Sequence, residues 1–170
     1  MEFREVLDAR RSIRRFKEDV SIPREDLKKI IYAGMVAPNA GGKRPWEFFV
    51  ADSREVLDSI TEVHPAGKTL KTASAVIIVC GRKSLGAPMP EPFIYLDCAA
   101  AVTQMLLQVT DMGYGACWTG AYPSPDKMQA IRNLLDLDDD YLPVASIVVG
   151  VADESPEQRG FWEEEKVHFL

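Results

Sequence analysis

The longest apolar run in the chain, EPFIYLDCAAAVTQMLLQVTDMG from Glu91 to Gly113, is long enough to cross a bilayer as a helix. Asp97, Gln104 and Gln108 interrupt it at depths where hydrocarbon penalises them, by roughly a few kcal/mol for the charged one. The run therefore predicts the central helix of a soluble core, apolar nearly all round. Such a helix must be surrounded by other elements. With 170 residues, 46% of them apolar, the chain has material for one domain with a real core and too little for two.

Those other elements can be placed from their periodicity. MEFREVLDAR reads as an amphipathic helix with Phe3, Val6 and Leu7 on one face, and no basic-then-apolar signal segment precedes Phe3, which predicts a cytoplasmic protein. SIPREDLKKIIYAGMVAP sets Leu27, Ile30, Ile31 and Met35 at helical spacing, with Pro23 at its start and Pro38 beyond its end. The glycine-rich NAGGKRP leads into WEFFVAD, a short buried strand, and then a helix that Ser53 can cap. ASAVIIVCG and LPVASIVVGVA are too continuously apolar to have a wet face and read as core strands. SPDKMQAIRNLL is a further helix, with Met128, Ile131, Leu134 and Leu135 on one side.

The core looks complete by Ala152, giving a domain over 1–152 and an extension over 153–170. That extension is charged yet carries Phe161, Trp162, Val167 and Phe169. Such anchors fit either docking on a partner or wrapping over the same domain. Three cysteines, Cys80, Cys98 and Cys117, form no C-x-x-C pair and sit among apolar neighbours, as buried reduced thiols do.

Strands alternating with helices suggest, from pattern alone, a doubly wound sheet with a nucleotide site. The fingerprint for one is missing. The G-x-G at Gly113–Gly115 follows a helix instead of leaving a strand, and no third glycine comes three residues later. A P-loop lysine and a G-x-S-x-G are absent too, and two histidines, His64 and His168, are too few for a convincing zinc site.

A net charge of −6 works against nucleic-acid binding, which needs a broad basic face. Against that balance, RRSIRRF at Arg10–Phe16 places four arginines and a serine in seven residues. Arginines at the end of a first helix would complement its dipole, which accounts for one or two of them. Arginine forks hold phosphate oxygens bidentately and a serine hydroxyl adds a further bond, so Arg10, Arg11, Ser12 and Arg14 form a candidate phosphate clamp for a small anionic molecule.

RRSIRRF, followed by APNAGGKRPWEFFV, MGYGACWTGAYP and VGVADESPEQRGFWEEEKVHF, resembles the FMN-dependent nitroreductase-like family from one end of the chain to the other. The resemblance implies an α+β sandwich with a mixed, mainly antiparallel sheet flanked by helices. It implies an intertwined homodimer with FMN at the subunit interface, which would give the extension a partner to dock on. By similarity, Arg10, Arg11, Ser12 and Arg14 hold the ribityl phosphate and chain, and Arg159 completes the phosphate pocket. Pro38, Asn39 and Ala40 reach the flavin from the other subunit, while Thr119 and Gly120 present backbone near the reactive edge of the ring. Glycine there permits close approach of the main chain to a flat ring. Lys68 is placed near the pyrimidine side, where a cation stabilises negative charge on reduced flavin.

The activity implied is hydride transfer from NADH or NADPH through FMN to a small acceptor such as a nitroaromatic, a quinone or a flavin. No acid–base residue, no metal, no membrane and no nucleic acid are implied. Two features depart from the family pattern: Glu157 stands where a second basic residue is common, and Arg44 where a glutamine is frequent. The chain is also short, leaving little material to cover a flavin. A non-catalytic flavin- or nucleotide-binding protein of the same fold is the alternative these departures keep open.

Overall fold

The computed structural model describes residues 1–157 and 160–170. In chain order the regular elements are α1 (Phe3–Ala9), α2 (Arg24–Met35), β1 (Trp46–Ala51), α3 (Arg54–Ile60), β2 (Ala75–Arg82), α4 (Lys83–Gly86), α5 (Glu91–Asp111), β3 (Gly115–Gly120), α6 (Pro125–Leu135) and β4 (Tyr141–Gly150). Short 3-10 turns lie at Ala40–Gly42, Gly67–Lys71 and Glu164–Lys166.

The two β-branched runs, β2 and β4, pair with each other at the centre of a four-stranded sheet of order β1-β2-β4-β3. Both are buried almost throughout, as runs without polar alternation require. WEFFVA takes an edge instead, so β1 is half-exposed along most of its length. All three ladders are antiparallel, and the isolated bridge between Ser12 and Ala116 is the parallel contact among the described residues. The architecture is thus α+β, and not the doubly wound sheet that alternation alone suggested. Helical connections do not dictate parallel pairing: α3 links β1 to its antiparallel neighbour β2, and α6 links β3 to β4.

α5 lies against all four strands and carries α2 on its other side. By length and hydropathy it could cross a membrane, yet Ile94, Cys98, Ala101, Val102, Met105 and Val109 are buried against the sheet and α2. Gly34 of α2 makes the helix crossing close, since an added Cβ there would lie 3.0 Å from Met105. Ser53 caps α3 as expected, accepting the Val56 N–H at 3.3 Å, and the three cysteines are free and buried.

Several apolar side chains remain uncovered. Phe3 and Leu7 of α1 point outward while Val6 alone of that face is buried. Met35 of α2 and Leu96 of α5 are exposed as well. In the extension, Phe161 is 84% exposed and Phe169 90%, so these anchors do not pack on their own domain.

Candidate functional site

The arginine cluster does not lie on a helix end. α1 stops at Ala9, Arg10 takes the C-cap with non-helical ψ (φ −59°, ψ 122°), and the chain then runs beside the start of β3. Two apolar pegs hold it there. Ile13 and Phe16 are buried over a pair of glycines facing each other across β3 and β4, Gly115 and Gly150. A Cβ on Gly115 would meet Ile13 at 2.9 Å, and one on Gly150 would meet the Phe16 ring at 2.7 Å, so both positions require the missing side chain. Backbone bonds fix the register: the Ile13 N–H donates to the Ala116 carbonyl at 2.8 Å, and the Lys17 N–H to that of Val151 at 2.8 Å. With the pegs turned inward, Ser12, Arg14 and Arg15 are left exposed, and Arg10 half-buried.

Arg10, Arg11, Ser12 and Arg14 line one hollow of about 270 Å³ together with Glu154 and Pro156. The four residues singled out in the sequence thus come together, but they are not equivalent. Arg11 donates Nη1 to the Arg10 carbonyl, Nη2 to the Asp8 carbonyl at 2.7 Å and Nε to the Glu157 carbonyl at 3.0 Å. Its fork is committed to three backbone oxygens, so it fastens the end of α1 to the start of the extension. Among the described residues, Arg14 makes only a long 3.5 Å contact, to the Ser12 carbonyl, which leaves its guanidinium available to an anion.

Glu154 is a site residue that the sequence did not signal. Its Oε1 accepts the N–H groups of Arg14 at 2.5 Å and Arg15 at 3.1 Å, and Oε2 lies 3.4 Å from Arg15 Nε. The Arg14 amide, then the Arg15 amide and charge, hold this carboxyl below the usual carboxylate range against the opposing effect of partial burial. Nearby, burial pushes the Cys117 thiol up although Arg14 opposes it.

From the hollow, β3 runs along the free edge of the sheet. The Ala116 carbonyl faces that edge, where it accepts Ile13 N–H, and the two-residue period of a strand turns the backbone of Trp118 and Gly120 the same way. Gly120 lies four residues beyond Ala116, about 13 Å along the strand. Thr119 faces β4, opposite Ser146.

Ser146 leads to a second feature absent from the sequence reading. His64 is 3% exposed, with Nε2 3.0 Å from Ser146 Oγ and Nδ1 accepting the Ala66 N–H at 3.0 Å. Because Nδ1 accepts, the ring proton resides on Nε2 and the imidazole is neutral. Burial pushes its pKa down to about 4. This pair moors the turn Gly67–Lys71, whose backbone is also held by Arg54 through the carbonyls of Leu70, Lys71 and Ala73. Lys68 sits exposed on that turn, outside the arginine hollow.

Pro38, Asn39 and Ala40 also lie outside the hollow. The Asn39 side chain closes its own loop, Oδ1 accepting the Arg44 N–H at 2.8 Å and Nδ2 donating to the Ala37 carbonyl at 3.3 Å. Buried Asp97 of α5 accepts the Ala40 N–H at 2.9 Å and so pins this loop to the central helix. Arg159 falls outside the described residues.

The donor set suits a phosphorylated, flat cofactor. Arg10, Arg14 and the Ser12 hydroxyl can hold a phosphate, and the outer edge of β3 offers backbone donors farther along the strand.

Comparison with known proteins places the chain in a family. The sequence profile of the Nitroreductase family matches residues 7–66 and 62–151. A protein of Methanothermobacter thermautotrophicus, provisionally named an NADH dehydrogenase/NAD(P)H nitroreductase, is 38% identical over 168 residues, spanning 99% of this chain and 86% of the relative. A crystal structure from Parabacteroides distasonis, named in the same provisional way, superposes with a TM-score of 0.89 at 33% identity, covering 99% and 98% of the two chains. An FMN-dependent nitroreductase from Clostridium difficile superposes with a TM-score of 0.84 at 29% identity, covering 96% of each. With a profile that spans most of its length, a relative alike nearly end to end and the same fold, this chain belongs to the nitroreductase family.

Proposed function

We propose that the protein is an FMN-dependent oxidoreductase working as a homodimer. The observation that carries the reading is the hollow at the head of β3: two arginines uncommitted among the described residues and a serine hydroxyl at one end, and the outer edge of β3 leading to Gly120 at the other. FMN, when bound, supplies the two-electron chemistry, taking hydride from NADH or NADPH and delivering it to a small acceptor such as a nitroaromatic, a quinone or another flavin.

The chain's own residues bind and orient. Arg10 and Arg14 hold the phosphate by charge-assisted bonds, with Ser12 adding a hydroxyl. Gly120 brings a backbone N–H to the edge of the ring, where the absence of a side chain allows close approach. Lys68, on the turn moored through His64, supplies a cation toward the ring's pyrimidine side. Pro38–Ala40, pinned by Asp97, complete the pocket of the partner subunit. The uncovered apolar faces of α1, α2 and α5 and the exposed anchors of residues 161–170 support an interface between two copies, on which the extension docks.

Replacing Arg10 and Arg14 together with Ala tests the site. Each charge-assisted bond contributes about 1.5–3 kcal/mol, so the double variant should purify without flavin. Retention of one FMN per chain by that variant would refute the clamp.

A further inference from the structure

We infer that Glu154 sets the affinity and selectivity of the phosphate end of this site: it is a resident carboxylate that takes the clamp's backbone donors and, by its charge, limits how tightly a phosphorylated flavin is held. The inference rests on the FMN reading above and concerns its grip, not its existence.

Two successive backbone N–H groups, those of Arg14 and Arg15, converge on the single oxygen Oε1. Consecutive amides aimed at one point are how backbone concavities capture anions. Here the anion belongs to the chain. Glu154 also draws off Arg15, whose Nε is 3.4 Å from Oε2, while Arg11 is spent on three carbonyls. Of the four arginines in the cluster, Arg10 and Arg14 are thus left uncommitted among the described residues, lining the hollow with the Glu154 carboxylate.

The carboxylate has little freedom to swing away. Ala152 bridges to Phe16, the Asp153 N–H donates to the Arg15 carbonyl at 3.0 Å, and the Glu157 carbonyl holds Arg11 Nε. Both flanks of Glu154 are thus tied to the segment it serves. An entering phosphate meets the Arg10 and Arg14 guanidinium groups, finds the Arg14 and Arg15 amides already used, and approaches a like charge. The consequence is an exchangeable flavin, with a smaller advantage of FMN over riboflavin than four arginines would give.

The substitution Glu154→Gln keeps an oxygen for the two amides and removes the charge. Wild type and variant, stripped of flavin, are titrated with FMN and with riboflavin by quenching of flavin fluorescence. FMN should bind about tenfold tighter to the variant, the effect of deleting one nearby charge at a partly solvated site, with riboflavin changing less than about twofold. Equal or weaker FMN binding by a folded variant would overturn the inference and mark Glu154 as scaffold. Failure of both proteins to bind either flavin would instead sink the FMN reading and this inference with it.

The wild type alone gives a second test that does not depend on how the variant folds. Among the described residues, the ionisable groups around Glu154 are Arg10, Arg11 and Arg14, which line the hollow with it, Arg15 beside it, Tyr114, which lines an adjoining hollow, and the Cys117 thiol of β3, while Asp153 and Glu157 are near it in sequence. A phosphate passes from monoanion to dianion across its second pKa near 6. With Glu154 resident, the ratio of FMN to riboflavin affinity should change less than about twofold between pH 5.5 and 7.5. A rise of about twofold or more, toward the roughly fourfold limit set by a dianion fraction that grows from about a quarter to nearly one, is what uncompensated arginines would produce and would contradict the inference.

Discussion

His64 makes the stability of this protein depend on pH in a narrow and calculable window. The unfolded chain presents an ordinary imidazole with a pKa of 6.5, whereas burial in the fold lowers it to about 4. The unfolded state therefore takes up the proton first as pH falls. The contribution of neutral His64 is complete above pH 6.5 and is lost progressively toward pH 4. At about 1.4 kcal/mol per unit, the loss is roughly 2 kcal/mol by pH 5 and approaches about 3 kcal/mol at pH 4. The side chains whose carboxyls are held below their usual range, Asp26, Asp52, Asp140 and Glu154, lose their contributions at lower pH and leave the window between 6.5 and 5 to His64. The perturbation is His64→Gln, which keeps an N–H for Ser146 and cannot titrate. Urea unfolding of both proteins at one chain concentration, at pH 7.5, 6 and 5, measures the difference directly. The variant should start less stable and lose about 2 kcal/mol less than wild type between pH 7.5 and 5. A difference between the two proteins that stays constant across that range would refute the reasoning.

Three further perturbations bear on the site. Gly150→Ala drives a methyl to within 2.7 Å of the Phe16 ring, so it should cost about 1–3 kcal/mol in thermal or urea unfolding and loosen the segment that carries the clamp. Asp97→Ala strips the Ala40 amide of its acceptor, at a cost of about 1–3 kcal/mol, and hydrogen exchange should show that amide losing protection. Truncation after Ala152 should abolish dimer and flavin together, as read by sedimentation and absorbance; a flavin-loaded dimer lacking the extension would show that its role is misassigned.

The elements visible in the sequence are those whose burial is one-sided or total. α5 declared itself through length, with Asp97 marking it as something other than a membrane span. β2 and β4 did so through unbroken β-branched runs, and α2 and α6 through helical spacing. β3 did not, because GACWTG is short and flanked by glycines that read as a turn, and its strand character comes from pairing with β4. Strand direction was invisible for a related reason: a helical connection of sufficient length joins neighbours in either sense. At the site, the arginines stood out by charge. The peg role of Ile13 and Phe16 rests on glycines more than 90 residues away, and nothing local announced it. Glu154 and His64 were hidden likewise, since each gains its meaning from a distant partner, Arg14 in one case and Ser146 in the other.

The most direct measurement is the absorption spectrum of the freshly purified protein, followed without oxygen as NADH and then NADPH are added. The account predicts flavin bands near one FMN per chain that bleach on addition of a reduced nicotinamide. A colourless protein that FMN cannot reconstitute, or bound flavin that neither nucleotide reduces, would contradict it.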